Sequence, residues 1–168
     1  MRRTPNLLAA LRGFWSFSSA SKTLYLLYFP FQDLVSAGCV KHEPMVRVFD
    51  EAIKIAMPSK PKCQVRIMDM GSGTGLLGVE LNKRGYTNVD ALDVTQKMLD
   101  VSREKGVYTK FICAHLTEAR TPGIEDGDYN AIISSGVVTA AYGHIRPPAF
   151  YEMMRVISDG KCGAFLSF

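Results

Sequence analysis

The chain has 168 residues, of which 47% are hydrophobic and 21% charged, and this length and composition are typical of one globular domain with a buried core. Its formal charge of +4 comes from residues 1–32, which hold four basic and no acidic residues and leave sixteen residues of each sign in the rest. A formally neutral domain is a poor candidate for holding a phosphate backbone by charge alone, which argues against nucleic acid as the partner.

The N-terminal leader, residues 1–43, precedes the first regular pattern. Residues 1–32 are acid-free, partly apolar and contain Arg and Ser, a composition typical of a mitochondrial transit peptide. An ordinary N-terminal helix and an extension foreign to the domain are the alternative interpretations. Serines and Lys22 interrupt the apolar run before it reaches the roughly 18 residues that a membrane span needs. We therefore expect a leader over 1–43 and a domain over 44–168.

Short apolar runs alternate with amphipathic runs from about residue 44 onward, which predicts a parallel sheet covered by helices on both faces. The apolar runs predict strands at residues 65–70, 89–93, 108–113, 129–135 and 163–168. The amphipathic runs predict helices at about 45–57, from Leu76 to Gly85, from Thr95 to Gly106, and at about 147–157. The proline-rich stretch at 58–62 is expected to be a linker.

A glycine-rich turn, Gly71-x-Gly73-x-Gly75, lies between the first strand and the next helix. A strand, such a turn and a helix place backbone N–H groups where they can receive an anionic group of a ligand. The dinucleotide fingerprint G-x-G-x-x-G would need its third glycine at Leu76, so that fingerprint is incomplete. Glycine turns are also common in α/β domains that bind nothing there.

Two acidic residues bracket this turn. Asp69 would repel a pyrophosphate but suits a ligand with an ammonium group or a cationic sulfur, although it could also simply cap its own turn. Asp93 ends the second strand, 22 positions after Gly71, where a carboxylate can accept hydrogen bonds from two ribose hydroxyls. The pair predicts S-adenosyl-L-methionine as the cofactor, since it carries both cations and a ribose.

The four cysteines are far apart and form no C-x-x-C pair, and the three histidines do not stand at metal-ligand spacing. We expect reduced thiols, no bound metal and an intracellular protein. The cytoplasm is the expected compartment, with the mitochondrion as the alternative.

These features resemble the class I, Rossmann-like S-adenosylmethionine-dependent methyltransferases over roughly residues 43–168. The matching segments are DMGSGTG at 69–75, LDV at 92–94 with Met98-Leu99, CAHL at 113–116, YNAII at 129–133 and the segment 136–145. The resemblance implies an α/β fold with a doubly wound, mostly parallel sheet in the strand order 3-2-1-4-5. Because the family fold continues with two further strands, the chain looks like a truncated methyltransferase whose fifth strand is a bare edge.

The resemblance also implies roles for single residues. The residues expected around the methionine moiety of the cofactor are Asp69, Gly71, Ser72, Gly73 and Gly75. It further implies that Asp93 binds the ribose, that Val94 lies near the adenine and that His115 faces the adenine amino group. Many relatives have Asp at the last position, whereas His can accept a hydrogen bond there only as the suitable neutral tautomer.

His144, after the fourth strand, is the candidate general base for an acceptor that must lose a proton, and a histidine that orients the loop before Pro147 is the alternative. The Pro-Pro-aromatic signature of many nitrogen methyltransferases is absent, since residues 134–137 read SSGV. We therefore expect a small-molecule acceptor before a protein or a nucleic acid. Two other functions stay open: a non-catalytic cofactor-binding module or fragment, and a nicotinamide-dependent oxidoreductase, against which Asp69 and Leu76 both argue.

Overall fold

The computed structural model describes residues 14–19, 22–28, 42–135, 148–157 and 162–167. The strands in these ranges are β1 (Phe14–Ser19), β2 (Lys22–Tyr28), β3 (Ile67–Met70), β4 (Val89–Asp93), β5 (Lys110–Cys113), β6 (Ala131–Ile133) and β7 (Cys162–Ser167). The α-helices are α1 (His42–Ala56), α2 (Leu76–Lys83), α3 (Gln96–Arg103) and α4 (Ala149–Val156), and a 3-10 turn covers Lys62–Gln64. The strands and helices predicted for residues 45–168 are all present, with ends that differ by a few residues.

The central sheet has the order β5-β4-β3-β6, and each neighbouring pair in it is parallel. This order corresponds to 3-2-1-4 in the predicted numbering, and β7 lies beside β6. The doubly wound α/β fold is therefore confirmed. Asp69 pairs in register with Ala91 of β4 and Ile133 of β6, so it stands in the middle strand near the carboxyl edge of the sheet.

Apolar packing on both faces explains why β3, β4 and β6 are buried throughout. Ile67 of β3 packs with Phe49 of α1 and Leu77 of α2 on one face. Met68, the next residue, packs with Met153 of α4 on the other face. Successive strand residues point to opposite faces, so a continuous apolar run in β3 serves two cores at once. Each such fully buried side chain contributes about 1.5–3 kcal/mol to folding.

The helices of the central unit begin and end at residues that the sequence marks. Gly85 and Gly106, which have φ angles of 90° and 63°, follow the ends of α2 and α3. Thr95 stands at the N-cap of α3 as expected, but its side chain makes no capping hydrogen bond. Instead, the Thr95 N–H donates to Oδ1 of Asp93 over 2.8 Å. The start of α3 is thus fixed by the acid that ends β4.

The prediction that the fifth strand is a bare edge is wrong. β1 and β2, which lie in the leader, pair antiparallel, and β2 pairs in parallel with β7 from Thr23–Cys162 to Tyr28–Ser167. The N–H and C=O groups on that side of β7 therefore have a partner strand, which removes the cost of leaving them unpaired. Residues 14–19 and 22–28 form strands and not the N-terminal helix given as one alternative, while the division at residue 43 and the targeting role of the leader stay predictions.

We predict that deleting residues 1–28 destabilises the domain, because it exposes the edge of β7 that β2 covers. The midpoint of thermal unfolding should fall by roughly 5 °C or more, since about 1 kcal/mol corresponds to 2–4 °C in a domain of this size. The exposed edge should also cause concentration-dependent association. Differential scanning calorimetry and size-exclusion chromatography of the full and shortened chains test this. An unchanged midpoint with a monomeric shortened chain would contradict it.

Candidate functional site

The glycine turn joins the carboxyl end of β3 to α2 through three residues with left-handed backbone angles. The φ angles are 75° at Gly71, 52° at Gly73 and 84° at Gly75. Residues other than glycine rarely adopt this left-handed region. The N–H groups of Gly71 and Ser72 donate to the carbonyl of Leu92 over 2.8 and 3.0 Å. The turn is therefore attached to the end of β4 as well as to its own strand.

The glycines serve two different purposes. A Cβ at Gly75 would lie 2.9 Å from Cβ of Ser102 and 3.0 Å from Cε2 of Tyr108, so this glycine permits close packing. A Cβ at Gly73 would meet nothing within 4 Å among the described residues. The main chain of the turn is consequently open to an approaching group at Gly73 and closed at Gly75.

Asp93 connects the turn to α3. Its Oδ2 accepts a hydrogen bond from the N–H of Gly73 over 2.9 Å, and its Oδ1 accepts the one from Thr95. Its side chain is buried, yet neither bond comes from a cation. The carboxylate is thus held in one orientation by two main-chain donors, and each of its oxygens keeps further acceptor capacity.

Asp69 is fully buried, two residues before the turn. Its Oδ2 accepts a hydrogen bond from the phenol of Tyr108 over 2.5 Å. Its Oδ1 has no partner among the described residues. Burial raises the pKa of Asp69 to about 7, the Tyr108 bond opposes that rise, and the charge of Asp93 adds to it.

Three other buried acids in the described part of the chain differ from Asp69, because each lies beside a cation. Asp50 lies 2.5 Å from Nζ of Lys62, Asp90 lies 3.1 Å from a guanidinium nitrogen of Arg66, and Glu152 is paired with Arg155. These acids have cationic partners, whereas Asp69 and Asp93 have none among the described residues. Burying a carboxylate without a cation is expensive, so the carboxyl edge of the sheet suits a cationic ligand.

Two serines stand at the same edge. Oγ of Ser72 is buried and has no hydrogen-bond partner among the described residues, which makes it a second polar atom available to a ligand. Oγ of Ser134, which follows β6, donates to the carbonyl of Met70 over 2.8 Å. The second serine thus joins β6 to β3 directly behind the glycine turn.

The remaining predicted residues lie around this edge or outside the described chain. Val94 follows β4 and is 57% exposed, which leaves its apolar side chain free to contact a ligand. His115 lies two residues after β5 and is exposed. His144 lies outside the described residues. The structure therefore brings together Asp69, the turn and Asp93, and the binding roles of all these residues stay predictions.

Sequence reasoning missed Tyr108 and Gly78. Tyr108 was expected to open the third strand, but β5 begins at Lys110 and the Tyr108 ring instead reaches Asp69. A glycine inside a short helix, three residues after Gly75, was the available signal, because glycine weakens a helix unless something needs the space. Nothing in the sequence said which side chain would fill that space.

The described residues contain no group of three His, Cys, Asp or Glu side chains that could hold a metal ion. Among the helices of the described ranges, none is long and apolar enough to cross a membrane.

Comparison with known proteins gives one matching family and several solved structures of similar fold. A family model described as "Methyltransferase domain" matches residues 67–160. A search of the curated proteins finds no match. One similar solved structure, from Methanococcus maripaludis, is assigned to the S-adenosyl-L-methionine-dependent methyltransferases, with 18% identity, a TM-score of 0.52 and coverage of 79% of this chain and 61% of that one.

A second similar structure is a TehB-like methyltransferase dependent on the same cofactor, from Corynebacterium glutamicum. Its identity is 22%, its TM-score 0.51, and the alignment covers 76% of this chain and 63% of that one. At such identities these likenesses show the fold alone. The chain spans less than two thirds of the length of either structure.

We predict that Asp69 makes stability depend on pH with a sign opposite to that of an ion-paired acid. Its pKa is about 7 in the folded protein and 3.8 in a model compound, so between these values the folded protein holds a proton that the unfolded chain has lost. The stability that this proton contributes is lost as pH rises from about 4 to 7. Relative to the wild type, Asp69→Asn should gain stability over that interval, by roughly 4 kcal/mol at most. Urea unfolding of both proteins at several pH values measures it. A difference that stays constant with pH would contradict this assignment.

Proposed function

This chain belongs to the methyltransferase domain family, and we propose that it binds S-adenosyl-L-methionine and transfers the methyl group to a small-molecule acceptor. The observation that carries the proposal is the fully buried carboxylate of Asp69, which has a free oxygen and no cation beside it among the described residues. S-adenosyl-L-methionine supplies what this carboxylate lacks, because its amino acid moiety carries an ammonium group close to a positive sulfur.

The other residues at the edge fit the remaining parts of the cofactor. Oγ of Ser72 is a buried polar atom without a partner among the described residues and can bond the amino acid moiety. The N–H groups at the N-terminus of α2 can bind the carboxylate of that amino acid moiety. The open main chain at Gly73 permits close approach of the ligand. Asp69, Gly71, Ser72, Gly73 and Gly75 would together hold the methionine moiety.

Asp93 would hold the ribose. Its carboxylate is fixed by Gly73 and Thr95, and each oxygen retains acceptor capacity for a hydroxyl group. The exposed Val94 beside it would pack on the adenine, and His115 would accept a hydrogen bond from the adenine amino group as the suitable neutral tautomer.

When bound, the cofactor supplies a methyl group that a sulfonium has already activated for displacement. The chain's own residues then have to hold two reactants in line and exclude water, and alignment of this kind is worth about 7–11 kcal/mol. For an acceptor that must lose its proton, we propose His144 as the general base.

A small-molecule acceptor is favoured by the formal neutrality of the chain after residue 32 and by the absence of a Pro-Pro-aromatic signature after β6. A protein acceptor is the alternative, and nucleic acid is disfavoured by charge. The chain spans less than two thirds of the matched structures, so turnover is proposed separately from cofactor binding, and a non-catalytic binding module is the rival function.

Within the methyltransferases, we also propose a subgroup from the sequence. The chain resembles methyltransferase-like protein 27, the Williams-Beuren region protein, in the motifs at 69–75 and 92–94 and in the segment 136–145. An intracellular location, cytoplasmic before mitochondrial, fits the exposed free thiols of Cys63 and Cys113.

We predict that Asp93→Ala weakens binding of S-adenosylhomocysteine by about 1.5–3 kcal/mol, the range for hydrogen bonds to a charged group. Asp93→Asn should also weaken binding, because an amide replaces one charged acceptor oxygen with a donor. Asp100→Ala is the matched control, since Asp100 is an exposed acid on α3, seven residues further on. Isothermal titration calorimetry of folded variants measures the three affinities.

The same titrations with NADH separate the rival classes. We expect binding of S-adenosylhomocysteine and no heat from NADH, because Asp69 would repel a pyrophosphate. Affinity for NADH without affinity for S-adenosylhomocysteine would overturn the proposed function. Methyl transfer to a panel of small acceptors then distinguishes an enzyme from a binding module.

A further inference from the structure

The phenol of Tyr108 bridges two parts of the site. It donates to Oδ2 of Asp69 over 2.5 Å, and its oxygen accepts the N–H of Gly78 over 3.1 Å. Gly78 is the third residue of α2, and the first N–H groups of a helix have no partner within the helix. One tyrosine therefore satisfies a free helix donor and a buried carboxylate at the same time.

Two glycines make room for this ring. A Cβ at Gly78 would lie 2.3 Å from Cζ and 2.5 Å from the oxygen of Tyr108, and a Cβ at Gly75 would lie 3.0 Å from Cε2. Distances under 3 Å are far inside van der Waals contact, so an alanine at Gly78 would displace the phenol. The fit of the ring between these glycines sets the position of its hydroxyl.

We infer that Tyr108 is a positioning residue, which favours the ionised form of Asp69 and directs its Oδ1 to the ammonium group of the cofactor. The bond to Oδ2 fixes the rotation of the carboxyl group and leaves Oδ1, which has no partner among the described residues, for the ligand. This inference deepens the proposed function and rests on it.

The electrostatics of the described residues support this role. The titratable groups that act on Asp69 are Tyr108, from the segment before β5, and Asp93, from the end of β4. The burial of Asp69 and the charge of Asp93 favour a neutral Asp69, and the donated bond favours the ionised form. Burial and the adjacent carboxylate raise the pKa of Tyr108, so the phenol stays a donor wherever Asp69 titrates.

The test is the pH dependence of S-adenosylhomocysteine binding to the full chain, measured by calorimetry between about pH 5 and pH 8.5. Binding should strengthen as Asp69 ionises, with a midpoint near its pKa of about 7. Tyr108→Phe removes the donor and keeps the ring. Its midpoint should move up by about one to two pH units, and its affinity at pH 7 should fall about tenfold or more.

Tyr86→Phe is the matched control. Tyr86 is a fully buried tyrosine that donates to Asp50 over 2.9 Å, in the core beneath α1. It should lose stability but keep the wild-type midpoint. 5′-Methylthioadenosine, which lacks the amino acid moiety, should show no shift with either variant.

The outcomes separate the two proposals. If the wild type does not bind S-adenosylhomocysteine, the proposed function fails; if it binds and Tyr108→Phe keeps the wild-type midpoint, only the role of Tyr108 fails. If Tyr108→Phe does not fold, 3-fluorotyrosine incorporation replaces it, because a more acidic phenol is a stronger donor and should move the midpoint down. An unchanged or raised midpoint in the fluorinated protein would overturn the inference.

Discussion

The buried carboxylate of Asp69 is the constraint on which the rest of the site depends. A carboxylate removed from water costs several kcal/mol unless charge or hydrogen bonds compensate it, and here the compensation comes from one phenol. That phenol requires space, which Gly75 and Gly78 provide by lacking a Cβ. Gly75 and Gly78 thus follow from the acid and its tyrosine, whereas Gly73 has open space beside it.

The buried acids of the central sheet differ in whether a cation lies beside them. Asp90, on β4, is satisfied by Arg66 and by the hydroxyl of Tyr129 at 2.8 Å. At the carboxyl edge, the charge of Asp93 acts on Asp69. Both carboxylates accept hydrogen bonds only from neutral donors among the described residues. Buried acids in folded proteins are nearly always paired, so two buried acids without a cation beside an open turn are candidate ligand-binding groups.

Much of the fold and part of the site could be predicted from the sequence, because they depend on the local pattern of residues. The apolar runs that became β3 and β4 and the bracket of Asp69 and Asp93 around the glycine turn needed only spacing and residue chemistry. The partner of Asp69 could not be predicted, since Tyr108 is 39 positions away and reaches it only through tertiary packing. The pairing of β2 with β7 was missed for the same reason, because a strand partner far along the chain leaves no local periodic signal.

The central claim is that Asp69 receives the positive charge of the cofactor, and proton release on binding tests it most directly. At about pH 6 the free protein holds a proton on Asp69, because its pKa is about 7, and a cation placed beside it should expel that proton. Calorimetric titration with S-adenosylhomocysteine, in buffers of different ionisation enthalpy, counts the protons released. We expect close to one proton released per ligand for the wild type and none for Asp69→Asn. Binding without proton release in the wild type would contradict it.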